Sequence, residues 1–474
     1  MTSFIKSIAS ASIWHQLALI FALCTLLPLL LLGLAVYFVP DLNLGVYEHG
    51  KYALPALGFL ETGTLSSFDE VTGVYKTSVV RLPLYPLFLA GIFNVFGVSN
   101  YLPVLIIQCG MVGLTGVATA LAARAICEKW MWPTGLLVAV CPILAFSAVF
   151  ALPDIQFTML LAFGYCAILW AFRREKPLPL IIIAGIFFGL AMITRPTMSL
   201  FGFVAVPILF LFFWKSRNFD LIRSLTYSLL PFVILGLFLT PHIAKVYKET
   251  GVMMFNVQTG THTLRFLYPC LSAKWGCGQA DKFAKEKGAR LYKERSADFT
   301  DAEKKNPAVV SHLETQIAFE LIAELPMERI MTASIGSSIK MMFHNSFYMM
   351  MEFFKLPTVY FSKIQGDTFV EQVTGFIHSF LNNPWMMVWL VFQLSLFLIR
   401  GVQVVGVVRG LKDPAVRWPM LFLTLTSLTF VAISVGIGNS RYRIPMEPPL
   451  LIMATCGIYF LRDIYQKKFK TFSR

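Results

Sequence analysis

Carboxylates that can take a proton and guanidinium groups that can hold an anion gather at the ends of this chain's apolar runs. Residues 41–97 carry Asp41, Glu48, Asp69 and Glu70 beside Lys51, Lys76 and Arg81, directly after the first long apolar run. Asp41 follows that run and precedes Tyr47 by six residues. Partial burial beside a bilayer raises a carboxylate's basicity, so Asp41 can accept a proton from a hydroxyl or amine. It is equally placed to cap a helix starting near Asn43. Asp154, in FALPDIQF, either opens a helix whose dipole favours it or works with Asp41 as a second carboxylate. Such a pair can activate an acceptor or hold a divalent cation against a phosphate. Arg81, Arg195, Arg441 and Arg443 are the cationic counterpart: arginine stays charged and meets phosphate bidentately, although at a span end it can also simply snorkel to headgroups.

Membrane helices must position these groups. Charged residues make up 14% of the 474 residues against 57% hydrophobic, where ordinary soluble domains carry about 25% charged. Several runs reach the roughly 20 apolar residues that cross a hydrocarbon core. The expected spans are 14–40, 101–122, 133–151, 155–171, 178–194, 198–214, 225–243, 385–400, 418–436 and 447–462, ten in all. The first is too long and apolar for a cleaved signal and is expected to stay. Residues 83–97 are apolar but short and proline-rich, which suits a helix in the interface. Residues 326–355 read as interfacial or as one irregular hairpin. The fold class is therefore an all-α polytopic membrane protein with interfacial helices and a mostly helical polar loop region. Three parts are expected: 1–244 with the loop 41–97, the polar region 245–380, and 381–474 with a basic tail.

The net charge of +14 fits the positive-inside bias better than nucleic-acid binding. With the N-terminus inside, RREK (173–176), the 215–223 cluster, Arg400 to Arg417 and the tail all fall inside. The loop 41–82, Asp154, Arg195, residues 245–380 and NSRYRIP (439–445) then fall outside, collecting the unusual charges on one face. A transporter would instead place ionisable groups at the midplane of repeated halves, and no repeat is visible. No P-loop, GxGxxG, HExxH or CxxC pair occurs, and His242, His262, His312, His344 and His378 lack metal-ligand spacing. Six of the 8 cysteines lie in or beside apolar runs, while Cys270 and Cys277 share the polar loop and can pair if it is oxidising.

Three stretches carry a family resemblance. RLPLYPLFLAGIFNVFG (81–97), IFFGLAMITRPTMSLF (186–201) and RYRIPMEPPLLIMATCGIYF (441–460) resemble, in order, segments of membrane glycosyltransferases of the C-type fold. The protein O-mannosyltransferase-like group, glycosyltransferase family 39, and the lipid A aminoarabinose transferase are the most similar. The resemblance covers roughly residues 14–215 and 439–462, and not 245–380. It implies transfer of a sugar from a polyprenyl-monophosphate donor to a lipid, glycan or protein acceptor, on the periplasmic face of a bacterial inner membrane. It maps the essential carboxylate onto Asp41, with Glu48 as the alternative base, the second carboxylate onto Asp154, and the phosphate contact onto Arg81. Arg195, Arg441, Arg443 and Lys51 join Arg81 as candidate phosphate ligands, and Tyr47, Tyr85 and Tyr442 as candidates for substrate positioning. The expected cofactor is either none or a divalent cation on Asp41 and Asp154. The rival readings are a polyprenyl-diphosphate glycan ligase or polymerase, a lipid-linked sugar flippase, and a non-catalytic assembly subunit.

Overall fold

The computed structural model describes residues 12–39, 42–45, 51–70, 72–273, 281–357 and 369–472. Asp41, Tyr47, Glu48 and Cys277 lie outside the described residues. In chain order the elements are α1 (Ile13–Phe38), α2 (Ala53–Thr62), β1 (Ser66–Asp69), β2 (Val74–Thr77), α3 (Leu84–Phe96), α4 (Tyr101–Ile126), α5 (Met131–Ala139), α6 (Pro142–Ala148), α7 (Asp154–Ala171), α8 (Leu178–Met192), α9 (Phe201–Leu211) and α10 (Leu221–Thr250). The polar region adds α11 (Thr259–His262), α12 (Tyr268–Ser272), α13 (Lys282–Arg295), α14 (Asp301–Lys305) and α15 (Pro307–Ala323). Then come α16 (Met327–Phe343), α17 (Phe347–Phe353), α18 (Phe369–Leu381), α19 (Pro384–Lys412), α20 (Arg417–Ile433), a 3-10 turn (Ser440–Met446) and α21 (Glu447–Phe472).

The chain is a multi-pass, almost wholly helical membrane protein. Among the described residues six helices are long and apolar enough to cross a bilayer, or seven if the pair Glu128–Ala139 and Pro142–Ala148, bent by 54°, counts as one. The bend falls where Cys141 precedes Pro142 and adopts extended backbone, because the proline ring disfavours the helical region for the residue before it. The helices Leu178–Met192, Phe201–Ser216 and Arg417–Ile433 are apolar but shorter. They occupy the three remaining stretches expected to span. Two of them stop where charged groups begin: Arg195 follows α8, and the linker after α20 leads to Arg441. Non-helical backbone at that depth is tolerated where protein buries it.

The core surrounds α7, which is buried on nearly every side. Its Tyr165 packs edge-on against Phe188, Phe201 and Phe422, so α7 joins α8, α9 and α20. By contrast α1, α10 and α19 bury less than a third of their apolar stretch, the pattern of helices against lipid. Helices α19 and α21 approach closely enough that a Cβ at Gly406 would overlap the Met453 carbonyl.

Two boundaries differ from those expected. The run 225–243 continues as helix to Thr250, closed by Gly251 in the left-handed region (φ 72°), so the expected part boundary at 244 falls inside α10. The span 385–400 runs on to Lys412, with Arg400 buried and paired within the helix. This corrects the reading of Arg400 as the end of that span. The first loop also contains a two-stranded antiparallel hairpin, pairing Ser66 with Thr77 and Phe68 with Tyr75, a small sheet that the all-α reading did not include. The hairpin leans on the polar region: Lys245 Nζ donates to the Leu65 carbonyl at 3.0 Å, and Val79, Val246, Val257 and Ala308 form a small core.

Candidate active site

Asp154 opens α7, its side chain buried and its charge favoured by the helix N-terminus. The backbone before it is fixed by Gln108 of α4, whose Nε2 donates to the carbonyls of Ala148 and Phe150 at 3.1 and 2.7 Å. Gln108 Oε1 accepts from the Tyr85 hydroxyl at 2.9 Å. Tyr85 is fully buried and packs edge-on against Tyr52, 5.3 Å between ring centres. Tyr85 therefore supports the site wall rather than facing a substrate.

Two arginines close on Asp154. Arg441 places Nε and Nη2 on Oδ2 at 2.7 and 2.6 Å, and Arg195 pairs with Oδ1. Arg195 also lies over the Tyr442 ring, 5.7 Å from its centre. Arg81 comes alongside because the Leu84 amide donates to the Ile193 carbonyl at 3.2 Å, which ties the start of α3 to the end of α8. Its guanidinium stacks over Tyr52 at 4.9 Å and donates to Gln258 Oε1 at 2.7 Å. Gln258 in turn is held by the polar region. Gly260 packs so tightly on α15 that a Cβ would overlap the Ser311 carbonyl, and its amide bonds Ser311 Oγ at 2.9 Å. Buried Glu314 then receives Arg265 at 2.6 and 2.9 Å and Thr261 at 2.8 Å.

The charges are unbalanced. Arg81, Arg195 and Arg441 against Asp154 leave two positive charges in excess among the described residues. Burial, followed by the like charge of Arg441, pulls Arg195 down to about 10, so it remains charged at neutral pH but gains from any anion that arrives. Desolvation, then Arg81 and Arg195, hold His262 below the usual histidine range. Such a cluster, partly removed from water, has the charge and the planar donors that suit a phosphate or another compact anion.

Arg443 does not join this cluster. Its side chain is buried with its Nε on Glu447 Oε1 at 2.6 Å, and its Nη1 donates to the carbonyls of Met341, Met342 and His344 at 2.7, 2.7 and 2.9 Å. Buried, and with its Nε and Nη1 engaged within the protein, it does not stand with the other candidate phosphate ligands. Lys51 is exposed on the turn before Tyr52. Cys270 is disulfide-bonded, and its expected partner Cys277 lies outside the described residues. Among the described residues no group of three or more His, Cys, Asp or Glu is arranged to hold a metal ion.

The chain superimposes on the archaeal oligosaccharyltransferase AglB from Archaeoglobus fulgidus in the apo form with a TM-score of 0.52 at 12% identity, covering 96% of this chain and 52% of that one. AglB in complex with an inhibitory peptide and a dolichol-phosphate gives 0.51, also at 12% identity, covering 97% and 52%. The fold is that of the C-type glycosyltransferases. This chain spans about half the length of AglB. ArnT from Cupriavidus metallidurans bound to undecaprenyl phosphate superimposes at 0.37 and 13% identity, covering 94% and 78%, too weakly to add to the fold. No protein-family model and no curated protein sequence matches the chain.

Within this fold the sequence reading missed Tyr52, Gln258, His262, Arg400 and Glu447. Gln258 and His262 lie in the region where no motif was recognisable. Arg400 and Glu447 did leave a signal: each interrupts or opens an apolar run, and a charge in such a run needs a partner.

Proposed function

We propose that the chain is a membrane glycosyltransferase that moves a sugar from a polyprenyl-monophosphate donor to a lipid, glycan or protein acceptor, with inversion. The proposed setting is a bacterial inner membrane with the active site toward the periplasm. The observation that carries this reading is the arginine cluster, which among the described residues holds two excess positive charges. Arg81, Arg195 and Arg441 hold the donor phosphate, Tyr52 and Tyr442 flank it, and Asp154 holds Arg195 and Arg441 in place.

The chemistry then needs little else. The acceptor oxygen attacks the anomeric carbon while the bond from that carbon to the phosphate oxygen breaks, its electron pair leaving with the phosphate. The acceptor proton passes to Asp41, or to Glu48 in the alternative assignment. The donor phosphodiester carries one negative charge and the released polyprenyl phosphate nearly two near neutral pH. Two excess positive charges match the leaving group better than the donor, which is the condition for lowering the barrier. An apolar cavity of about 270 Å³ among α16, α19, α20 and α21, lined by Met342, Phe343, Leu428, Met446 and Leu450, suits part of an isoprenoid tail. AglB's complex with a dolichol-phosphate supports a lipid-phosphate ligand on this fold.

The test is release of polyprenyl phosphate from a defined polyprenyl-phosphate sugar by protein in liposomes containing membrane extract, with and without chelator. Turnover by the native chain, reduced at least 100-fold in Asp41→Asn, supports the reading. Equal turnover by Asp41→Asn moves the base to Glu48. Loss with chelator adds a cation to Asp41. No turnover with any monophosphate donor, but turnover with a diphosphate, overturns it in favour of a glycan ligase.

A further inference from the structure

Resting on that assignment of the arginine cluster, we infer that Glu447 is a positioning residue: through Arg443 and Arg400 it locks the turn that aims Arg441 at the donor phosphate. Glu447 stands in the first turn of α21, its Oε1 receiving Arg443 Nε and Arg400 Nη2, each at 2.6 Å. All three side chains are at most 4% exposed. Arg400 lies about 24 Å along α19 from its start, at 1.5 Å per residue, well inside the apolar stretch. A charge there persists only if it is paired.

The two arginines also close the end of another helix. The last carbonyls of α16 have no partners within the helix and form the negative end of its dipole. Arg443 Nη1 takes the carbonyls of Met341, Met342 and His344, and Arg400 Nε takes that of Met342 at 3.2 Å. The same segment is pinned from two more sides. Gln393 Nε2 donates to the Phe343 carbonyl at 2.7 Å, and the Ser346 hydroxyl bonds Ser440 Oγ at 2.6 Å. Ser346 sits in the left-handed region, φ 60°, a conformation retained only where its surroundings demand it.

Arg441 and Arg443 are two residues apart on a 3-10 turn, so their side chains leave in different directions. Fixing Arg443 on Glu447 turns Arg441 toward Asp154. The joint also delivers Tyr348, which lies within electrostatic reach of Arg441. No other described carboxylate contacts Arg443, so nothing replaces Glu447 in this role.

The experiment measures the Kd for undecaprenyl phosphate in nanodiscs, a readout that needs no turnover, together with KM and kcat for the donor. Amide exchange over residues 341–346 and 440–446 is followed in parallel. Glu447→Gln is expected to weaken Kd and raise KM about 10-fold, lower kcat at least 10-fold because Arg441 is no longer aimed at the leaving phosphate, and speed exchange in both segments, leaving residues 282–323 unchanged. Arg400→Gln keeps one Glu447–Arg443 pair and serves if the first variant does not fold; its expected loss in Kd is about 3-fold. Faster exchange with Kd and KM unchanged in either variant overturns the inference, since Glu447 is then structural only. Unchanged exchange overturns it as well. Should the native chain bind undecaprenyl phosphate without transferring, the transferase reading fails while the Kd comparison still decides the role of Glu447.

Discussion

Two clusters in this protein share one formula, a single carboxylate between two arginines, and use it differently. In Arg195–Asp154–Arg441 the guanidinium side chains are 13% and 29% exposed, and a third, Arg81, stands by with its own partner on Gln258. In Arg400–Glu447–Arg443 they are 4% and 2% exposed, and the donors not on the carboxylate reach backbone carbonyls and Gln403. The first is left with excess charge at an opening, so it can receive an anion. The second is sealed and its carboxylate is held by both arginines, so it can only join elements. Arg441 and Arg443 are nearly adjacent in one motif and equivalent in type, and the difference between them is one of direction and of what lies opposite.

The sharpest way to break the comparison is to remove one arginine from each. Arg441→Gln is expected to lower kcat for transfer 100- to 1000-fold, the usual loss for a preorganised donor to developing charge, with little change in melting temperature. Arg443→Gln leaves Glu447 with one partner and α16 uncapped, so its main effect is expected on stability, a cost of about 3–5 kcal/mol seen as a lowered melting temperature. Equal catalytic losses with equal melting curves would erase the distinction.

Asp154→Asn is the next largest. It leaves two arginines crowded without a counter-ion, and both a melting decrease and at least 100-fold slower transfer are expected. Adding undecaprenyl phosphate should recover more of the melting temperature in this variant than in the native chain, because the ligand supplies the missing charge. Equal recovery would mean that Asp154 does not balance Arg195 and Arg441.

Acid separates the clusters more gently. His344 lies beside the sealed cluster, and burial, then Lys340 and Arg443, push its imidazole down to about 4. Between about 6.5 and 4 the unfolded chain binds a proton that the folded chain refuses, so stability falls as pH drops through that window. Melting temperature measured across it should decline, and His344→Gln should flatten the decline. The smallest effect expected is from Gln258→Ala, which frees Arg81 from one contact and should raise donor KM about 5-fold with kcat unchanged.

Much of the open cluster was legible in the chain. Arg81, Arg195 and Arg441 each sit where an apolar run ends, and a run end is a position that sequence can locate. That Asp154 opens a helix was one of its two readings, but its engagement by both arginines depends on contacts 41 and 287 residues away. The sealed cluster was hidden for a related reason. Arg400 appeared to end a span because a charge usually does, yet Glu447 neutralises it and lets α19 continue to Lys412. Gln258 and His262 carry no pattern of their own; their place is set by Gly260 docking on Ser311 and by Glu314.

The most direct measurement is single-turnover release of polyprenyl phosphate from a radiolabelled polyprenyl-phosphate sugar in liposomes, comparing the native protein with Arg195→Gln and Arg441→Gln. The account predicts release by the native chain and at least 100-fold slower release by each variant. Release by both variants at the native rate would contradict it, because the leaving phosphate would then depart without the groups assigned to receive it.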